Sequence, residues 1–309
     1  MLGIIMPRIA PGEGMPTNKC IIILSERSSG SSALQNYLVK FAGAKHAFTR
    51  RHFENETLYW TKAASILGLP QVKMVDSRVP FGYDQAKRDI LELLSENVPG
   101  FVPPPNDYNL IMEGWRQLCR RYAPLFVEKS PHHLCEWSAL ELILQAQEVL
   151  DEIEFLVVGL VRNPLDTIYS HYKRWKSIPA QVEKQWVLSY QNLIKFQEAL
   201  PQKTVILRYE DMVSQPDALE PILQFCKALP REDPHPFFHA HSVQKWKSDR
   251  IFGFALSEES QRLAQRYGYK EEELQNQHLF WTPALHTLMH SAYRFGRKIR
   301  PLNVNPESE

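Results

Sequence analysis

Short apolar runs alternate with longer amphipathic stretches along most of the chain, and this alternation predicts strands separated by helices. One run, Phe155 to Val161, is apolar throughout and rich in valine, which is typical of a strand covered on both faces of a sheet. The expected fold is therefore α/β, with a mostly parallel central sheet flanked by helices. The predicted strands are Cys20 to Leu24, Val72 to Met74, Leu125 to Val127, Phe155 to Val161 and Thr204 to Leu207.

The intervening stretches carry apolar residues at helical spacing. The clearest helix start follows Phe155 to Val161, where Asn163 suits the N-cap, Pro164 the first helical position and Asp166 the first turn. The predicted helices are Ala33 to Phe41, Leu58 to Leu67, Asp84 to Glu96, Tyr108 to Tyr122, Leu134 to Leu150, Val182 to Ala199 and Asp217 to Leu229, with a largely helical tail from Leu256.

The domain organisation follows from where this pattern is interrupted. Residues 1–19 hold prolines and glycines and are expected to form a flexible N-terminal arm, and residues 20–309 a single domain. The proline-rich stretch Pro99 to Pro105 breaks the alternation, which indicates an insertion or lid around residues 80–125.

The composition of the chain limits the classes of partner that it is expected to bind. The 36 basic and 35 acidic residues give a net charge of +1, so no global field favours a nucleic acid, and none is expected as a partner. The four cysteines are widely spaced and form no C-x-x-C pair, which predicts neither zinc nor disulfides and favours a reduced, cytoplasmic setting. No apolar stretch approaches the ~20 residues of a membrane span, so no membrane partner is expected.

Three segments at strand ends are suited to binding an anion. The small polar loop Ser25 to Ser32 follows the first strand, Lys129 follows the third, and Arg162 precedes a helix N-terminus with its unpaired N–H groups. Ser170, eight residues after Arg162, lies on nearly the same side of that helix. Taken singly, each segment has an ordinary alternative: a connecting loop, a solvated lysine, or an arginine paired with Asp166.

In combination these segments resemble the sulfotransferases that use 3′-phosphoadenosine 5′-phosphosulfate (PAPS). The Ser/Gly loop is similar to the family's 5′-phosphosulfate loop, and Glu128-Lys129-Ser130-Pro131 to its lysine loop. Glu54-Asn55-Glu56 with Tyr59-Trp60 resembles an acidic-aromatic segment of the carbohydrate branch, and Arg162 with Ser170 has the spacing of the 3′-phosphate site. The resemblance covers about Cys20 to Tyr209, with a weaker echo at Lys245-Trp246, and implies a P-loop-nucleotide-hydrolase-like sulfotransferase fold.

The resemblance also implies roles for individual residues. It implies that Glu56 is the general base, with Glu54 and His132 as the alternatives. It also implies that Lys129 or Arg27 neutralises the negative charge that develops on the leaving oxygen. The loop departs from the family pattern, because Ser28 stands where a Lys or Arg usually precedes the small residue and glycine, while Arg27 lies one residue earlier. No metal is required. The residues implied to bind PAPS are Arg27, Ser28, Ser29, Gly30, Ser31, Ser32, Arg162, Ser170 and Tyr209.

The implied reaction is sulfuryl transfer from PAPS to a hydroxyl or amine, leaving 3′-phosphoadenosine 5′-phosphate. The near-neutral charge and the absence of a secretory signal favour a small-molecule acceptor in secondary metabolism over a long anionic glycan. The alternatives are a carbohydrate sulfotransferase, a P-loop-type kinase, for which the Walker lysine is missing, and a non-catalytic nucleotide-binding protein of the same fold. The acceptor, the choice between O- and N-sulfation and the oligomeric state are left open.

Overall fold

The fold was analysed in a computed structural model of the chain. It describes residues 18–51, 53–229, 237–238, 240–277 and 279–299, so residues 1–17 of the predicted N-terminal arm lie outside the described part. Within the described residues, four strands form one parallel sheet, which confirms the α/β prediction. The strands are β1 (Asn18–Ser25), β2 (Leu125–Lys129), β3 (Ile153–Val161) and β4 (Thr204–Arg208).

The order of the strands across the sheet is β2-β1-β3-β4. In the register, Ile22 of β1 stands opposite Glu128 of β2 on one side and Val157 of β3 on the other. The chain leaves β1 toward β2 and then crosses back past β1 to β3. Because the strand order reverses between β1 and β3, the carboxyl ends of these two strands border the crevice where sheets of this type bind ligands.

Helices cover both faces of the sheet. The inward face of α1 packs with Ile21 and Ile23 of β1 in one apolar cluster, which also includes residues of α9 and α10. Cys20, Ile22 and Leu24 of the same strand belong to the opposite cluster, with α2, α3, α4, α6, α7 and α8. The strand therefore alternates between two cores, as the period of two in a strand requires.

The helix bounds follow most of the sequence predictions. They are α1 (Ser31–Phe41), α2 (Tyr59–Ile66), α3 (Tyr83–Asn97), α4 (Asp107–Arg121), α5 (His132–Cys135), α6 (Trp137–Val149), α7 (Pro164–Trp175), α8 (Pro179–Ala199), α9 (Tyr209–Ser214), α10 (Glu220–Cys226), α11 (Glu258–Arg266) and α12 (Thr282–Ile299). None of the described helices combines the length and the apolar character needed to span a bilayer.

Three of the predicted elements were wrong in type or extent. Val72 to Met74 is not a strand, because the Val72 N–H donates to the Glu136 carboxylate at 3.2 Å and not to a neighbouring strand. The helix predicted over Leu134 to Leu150 is broken at Glu136, whose backbone is extended (φ −103°, ψ 99°). The helix predicted over Asp217 to Leu229 is shortened to α10, with a 3₁₀ turn before it.

The region predicted as an insertion or lid contains α3 and α4, joined by an irregular stretch that includes Pro99 to Pro105. Ile90 and Leu94 of α3 and Trp115 of α4 are fully buried and belong to the larger apolar cluster. These two helices thus contribute to the core of the domain. Whether they also act as a lid stays a prediction.

Candidate active site

The loop after β1 runs directly into the N-terminus of α1. Gly30 is the N-cap residue and has a left-handed backbone (φ 90°). A Cβ atom at Gly30 would lie 2.5 Å from two ring carbons of Tyr209, so only glycine fits this close approach. The first turn of α1, which begins with Ser31 and Ser32, carries no acidic residue and its N-cap has no side chain. The N–H groups at this end are therefore suited to an anion.

A buried polar cluster that involves α8 and β3 holds the loop after β1 in place. The Glu26 carboxylate accepts hydrogen bonds from Gln185 Nε2 at 2.7 Å and Ser189 Oγ at 2.8 Å, both on α8. The Ser29 hydroxyl lies 3.2 Å from the Tyr190 hydroxyl, which donates to the carbonyl of Leu160 in β3. Burial raises the pKa of Glu26, although these hydrogen bonds and the charge of Arg27 oppose the shift. The backbone of the loop is thus fixed by residues far away in the sequence.

Arg27 extends away from the loop and toward the irregular segment around residue 75. Its guanidinium donates to the backbone carbonyls of Val75 and Asp76 and lies 5.3 Å from the centre of the Trp175 ring. Arg27 therefore ties the loop to a neighbouring segment and to the end of α7.

Lys129, the last residue of β2, is fully buried. Its ammonium group lies 2.8 Å from Glu56 Oε1 and 3.3 Å from Glu54 Oε2, so two carboxylates share one cation. Glu54 also accepts a hydrogen bond from the Ser32 hydroxyl in the first turn of α1. Burial alone would raise the pKa of Glu54, but the Ser32 hydrogen bond and the Lys129 charge outweigh it and hold this pKa below its usual value.

The segment that carries both glutamates adopts an unusual backbone. Glu54, Asn55 and Leu58 have positive φ angles of 61°, 56° and 52°, a region that residues other than glycine rarely occupy. Hydrogen bonds to the end of β2 hold the segment in this form. The Leu58 N–H donates to Ser130 Oγ at 2.9 Å, and the Thr57 hydroxyl donates to Glu128 Oε1 at 2.8 Å.

The Glu128 carboxylate, which is 2% exposed, is the centre of the hydrogen-bond network that holds this segment against the end of β2. It also accepts a hydrogen bond from Ser130 Oγ and lies 3.5 Å from His133 Nε2, while His133 Nδ1 lies 2.9 Å from Thr61 Oγ1. Burial would raise the pKa of Glu128, but the charge of His133 and the hydrogen bonds outweigh it, and the pKa is lowered. This network fixes Glu56 relative to Lys129.

His132 begins α5 and is almost fully buried. Its Nδ1 lies 3.9 Å from Glu56 Oε2, on the side of that carboxylate away from Lys129. The structure therefore brings Lys129, Glu54, Glu56 and His132 into one cluster. Within the described residues, no group of three or more histidine, cysteine or acidic side chains is arranged to hold a metal ion, and metal-free chemistry stays a prediction.

Arg162, directly after β3, forms a second buried cationic position. Its two terminal nitrogens donate to the backbone carbonyls of Ser28 and Ser242, each at 2.7 Å. Its guanidinium lies 4.5 Å from the centre of the Tyr209 ring, so that ring contacts both Arg162 and the Gly30 loop. Ser170 lies partly exposed in α7, two turns beyond.

Residues 240–249 also contribute to the site, which the sequence pattern does not predict. This segment runs along α7: the Ser242 carbonyl accepts from Arg162, the Gln244 N–H donates to Asp166 Oδ2 at 3.0 Å, and Asp249 accepts from the Tyr169 hydroxyl. The weak family resemblance at Lys245-Trp246 was the one sequence feature that pointed to this segment, and Trp246 is buried. The buried network of Glu128, Thr57, Ser130 and His133 was missed as well. Glu128 and Ser130 stand out in the sequence only as neighbours of Lys129, and no local signal links them to Thr57 or His133.

Two comparisons with known proteins bear on this arrangement. A search of curated proteins finds no match. A family model described as the sulfotransferase family matches residues 20–233, which is more than half of the chain and includes the loop after β1, Lys129 and Arg162. The segment that provides Ser242 and Gln244 lies beyond the matched range. On the strength of this match, the chain belongs to the sulfotransferase family.

Proposed function

We propose that this chain transfers a sulfuryl group from PAPS to a hydroxyl or amine of a small-molecule acceptor. The observation that carries the proposal is the buried Lys129 ammonium, which lies between two carboxylates and is linked through Glu54 to the N-terminus of α1. A cation, a candidate base and an anion-binding helix end thus meet at the carboxyl edge of the sheet. These are the groups that sulfuryl transfer requires.

The donor is proposed to bind along this edge. The N–H groups and hydroxyls at Ser28 to Ser32 would hold the 5′-phosphosulfate, and Arg162 with Ser170 would hold the 3′-phosphate. The fit is supported by the buried Nε of Arg162, which has no hydrogen-bond partner among the described residues. The Tyr209 ring, already in contact with Gly30 and Arg162, is the proposed neighbour of the adenine.

In the reaction, a lone pair of the acceptor attacks sulfur and the bond between sulfur and the bridging oxygen breaks. That oxygen keeps the electron pair and becomes part of the 5′-phosphate of the leaving nucleotide. Lys129 is proposed to stabilise this developing charge. Arg27 is less suited to the role, since its guanidinium is engaged by Val75, Asp76 and Trp175.

The acceptor's proton is proposed to pass to Glu56, whose Oε1 is held 2.8 Å from the Lys129 ammonium. This contact keeps the base, which takes the acceptor's proton, close to the cation that stabilises the leaving oxygen, so one bound donor can be served by both groups. Glu54 also touches Lys129, and His132 lies near Glu56, so both are tested as alternative bases.

The test is to incubate the purified chain with PAPS and a panel of phenols, alcohols, amines and sugars, and to measure 3′-phosphoadenosine 5′-phosphate and sulfated product. We expect acceptor-dependent release that Lys129→Ala lowers by about 10²–10³ and Lys173→Ala retains, because the Lys173 side chain is 53% exposed on α7. Phosphoryl transfer from ATP would instead identify a kinase. Nucleotide binding without turnover of any acceptor would indicate a non-catalytic protein, and turnover restricted to sugars a carbohydrate sulfotransferase.

A further inference from the structure

The helix α12 is attached to the domain along one of its faces. The ring of His286 lies 4.8 Å from that of Tyr172, the Tyr172 hydroxyl donates to the sulfur of Met289 at 3.3 Å, and His290 Nδ1 lies 2.9 Å from the Lys176 carbonyl. These contacts join α12 to the C-terminal half of α7. The orientation of α12 on the domain is thereby fixed.

A different face of α12 exposes large apolar side chains. Trp281 just before the helix, Leu288 and Phe295 are 43%, 67% and 65% exposed and stand seven residues apart. At ~3.6 residues per turn this spacing keeps them on one side, along a stripe of about 21 Å. Phe280, 88% exposed, lies at its beginning. Such contiguous exposed apolar surface marks an interaction site.

The charges around this stripe are of one sign. Residues 279–296 contain no acidic residue, and together with residues 240–256 they carry four basic residues and one acidic residue, although the whole chain has a net charge of only +1. That single acid, Asp249, is engaged by Lys173 and the Tyr169 hydroxyl. The surface around α12 is therefore basic as well as apolar.

The two regions are also close in space. The Phe252 ring lies 6.0 Å from that of His286, and its neighbour Ile251 is 54% exposed. Phe252 and His286 are themselves buried, so this contact places the basic segment that includes Lys247 and Arg250 directly beside α12.

We propose that α12 and this segment dock reversibly on an anionic lipid surface, with the apolar stripe at the level of the headgroups. A helix with Trp, Phe and Leu on one face and only basic charges beside it has the composition of helices that lie in a membrane interface. A second copy of the chain fits less well, because a symmetric contact through this face would bring two basic surfaces together. The sequence expectation of no membrane partner rested on spanning segments, which a surface-bound helix does not need.

The first test is cosedimentation of the full chain with vesicles of phosphatidylcholine, alone or mixed with phosphatidylglycerol. We expect binding to the mixed vesicles that weakens as salt is raised, and little binding to phosphatidylcholine. Leu288→Ser with Phe295→Ser should lower partitioning by roughly tenfold or more, because two exposed apolar anchors are lost. Val102→Ser is the matched control, since Val102 is 82% exposed in a different region and its loss should change nothing.

Melting curves of all variants check that each is folded, and light scattering measures the oligomeric state. Absence of binding to the anionic vesicles, or equal binding by the double variant, would overturn the proposal. A dimer that dissociates in the double variant would also overturn it and would assign the stripe to a second copy. The assay uses no nucleotide, so its outcome is independent of sulfuryl transfer.

Discussion

Lys129 and Arg162 are both buried cations at the carboxyl edge of the sheet, yet their partners are of different kinds. Lys129 is paired with the side-chain carboxylates of Glu54 and Glu56. Arg162 is held by two backbone carbonyls and lies over the Tyr209 ring. The first cation is paired with full negative charges, while the hydrogen bonds of the second go to neutral carbonyl groups.

This difference fits two kinds of ligand charge. A phosphate that stays charged throughout a reaction is best met by a cation whose hydrogen bonds go to neutral groups, as at Arg162. A charge that appears only in the transition state is better met where a nearby carboxylate can accept a proton at the same time, as at Lys129. We therefore expect substitutions at the Lys129 position to act on turnover and those at the Arg162 position on nucleotide affinity.

The largest effect is expected for Glu56→Gln. The amide keeps the size of the side chain and accepts hydrogen bonds but does not usefully accept a proton, so kcat should fall by roughly 10²–10⁴ with nucleotide affinity nearly unchanged. Comparison of the steady-state kcat of Glu56→Gln with that of Glu54→Gln and of His132→Ala identifies the base. Normal turnover in Glu56→Gln, together with loss of turnover in one of the other two variants, would assign the role of general base to that other residue.

Lys129→Ala comes next. Removal of one group that stabilises developing charge typically costs about 10²–10³ in kcat, and the binding of PAPS should change far less. Single-turnover kinetics and titration calorimetry separate the two quantities. An equal loss of affinity and turnover would mean that Lys129 serves the ground state, and the contrast with Arg162 would disappear.

Arg162→Ala tests the other half of the comparison. Loss of a hydrogen bond to a charged group costs about 1.5–3 kcal/mol, so the affinity for 3′-phosphoadenosine 5′-phosphate should fall while that for adenosine 5′-phosphate changes little. Calorimetry with both nucleotides measures the difference. Arg120→Ala, at a half-exposed arginine of α4, is the control, and equal weakening of both nucleotides would remove the 3′-phosphate from this position.

The smallest effect is expected at Asp166, beside Arg162. Burial raises the pKa of this carboxyl to about 6, although the Arg162 charge opposes the shift. Because the folded-state pKa lies above the unfolded value, the carboxyl favours folding most at low pH, and this contribution is lost as pH rises through about 6. Asp166→Asn should therefore become more stable relative to the wild type across that range, by on the order of 1–2 kcal/mol.

Melting temperatures of both proteins from pH 4 to pH 8, measured at about one-unit steps, follow this difference. Gln244 N–H donates to Asp166 in the wild type, and the asparagine side chain still offers an acceptor there. A difference that does not change with pH would show that Asp166 does not titrate in the folded protein over this range.

The elements that the sequence predicted correctly are those whose local signals and tertiary partners agree. β3 and α7 are the clearest case: Asn163 Oδ1 accepts from the Leu165 N–H at 2.9 Å, and α7 begins at Pro164 as predicted. The strand prediction for Val72 to Met74 failed because the Val72 N–H is satisfied by the carboxylate of Glu136, a side chain distant in sequence. A local pattern of β-branched residues contains no information on such partners.

Some features of the candidate site could likewise be predicted from the sequence, and others depend on residues distant in the chain. The order of the polar segments after β1, β2 and β3 follows from the sequence, because parallel strands end at one edge. The direction of Arg27 does not, since it depends on carbonyls of Val75 and Asp76, nearly fifty residues further on. The Ser242 carbonyl at Arg162 is a backbone group, which any residue type at that position would provide.

The contact of Glu54 with Ser32 and Lys129 implies a competition between anions. The Glu54 carboxylate lies where the first turn of α1 and the buried ammonium group converge, a position that also suits an oxygen of a sulfuryl group. The two negative charges would repel, so binding of the proposed donor should favour a Glu54 that has taken up a proton or swung outward. By linkage, donor binding and protonation of Glu54 then favour each other, and acidification should tighten the complex until the donor's own binding groups titrate.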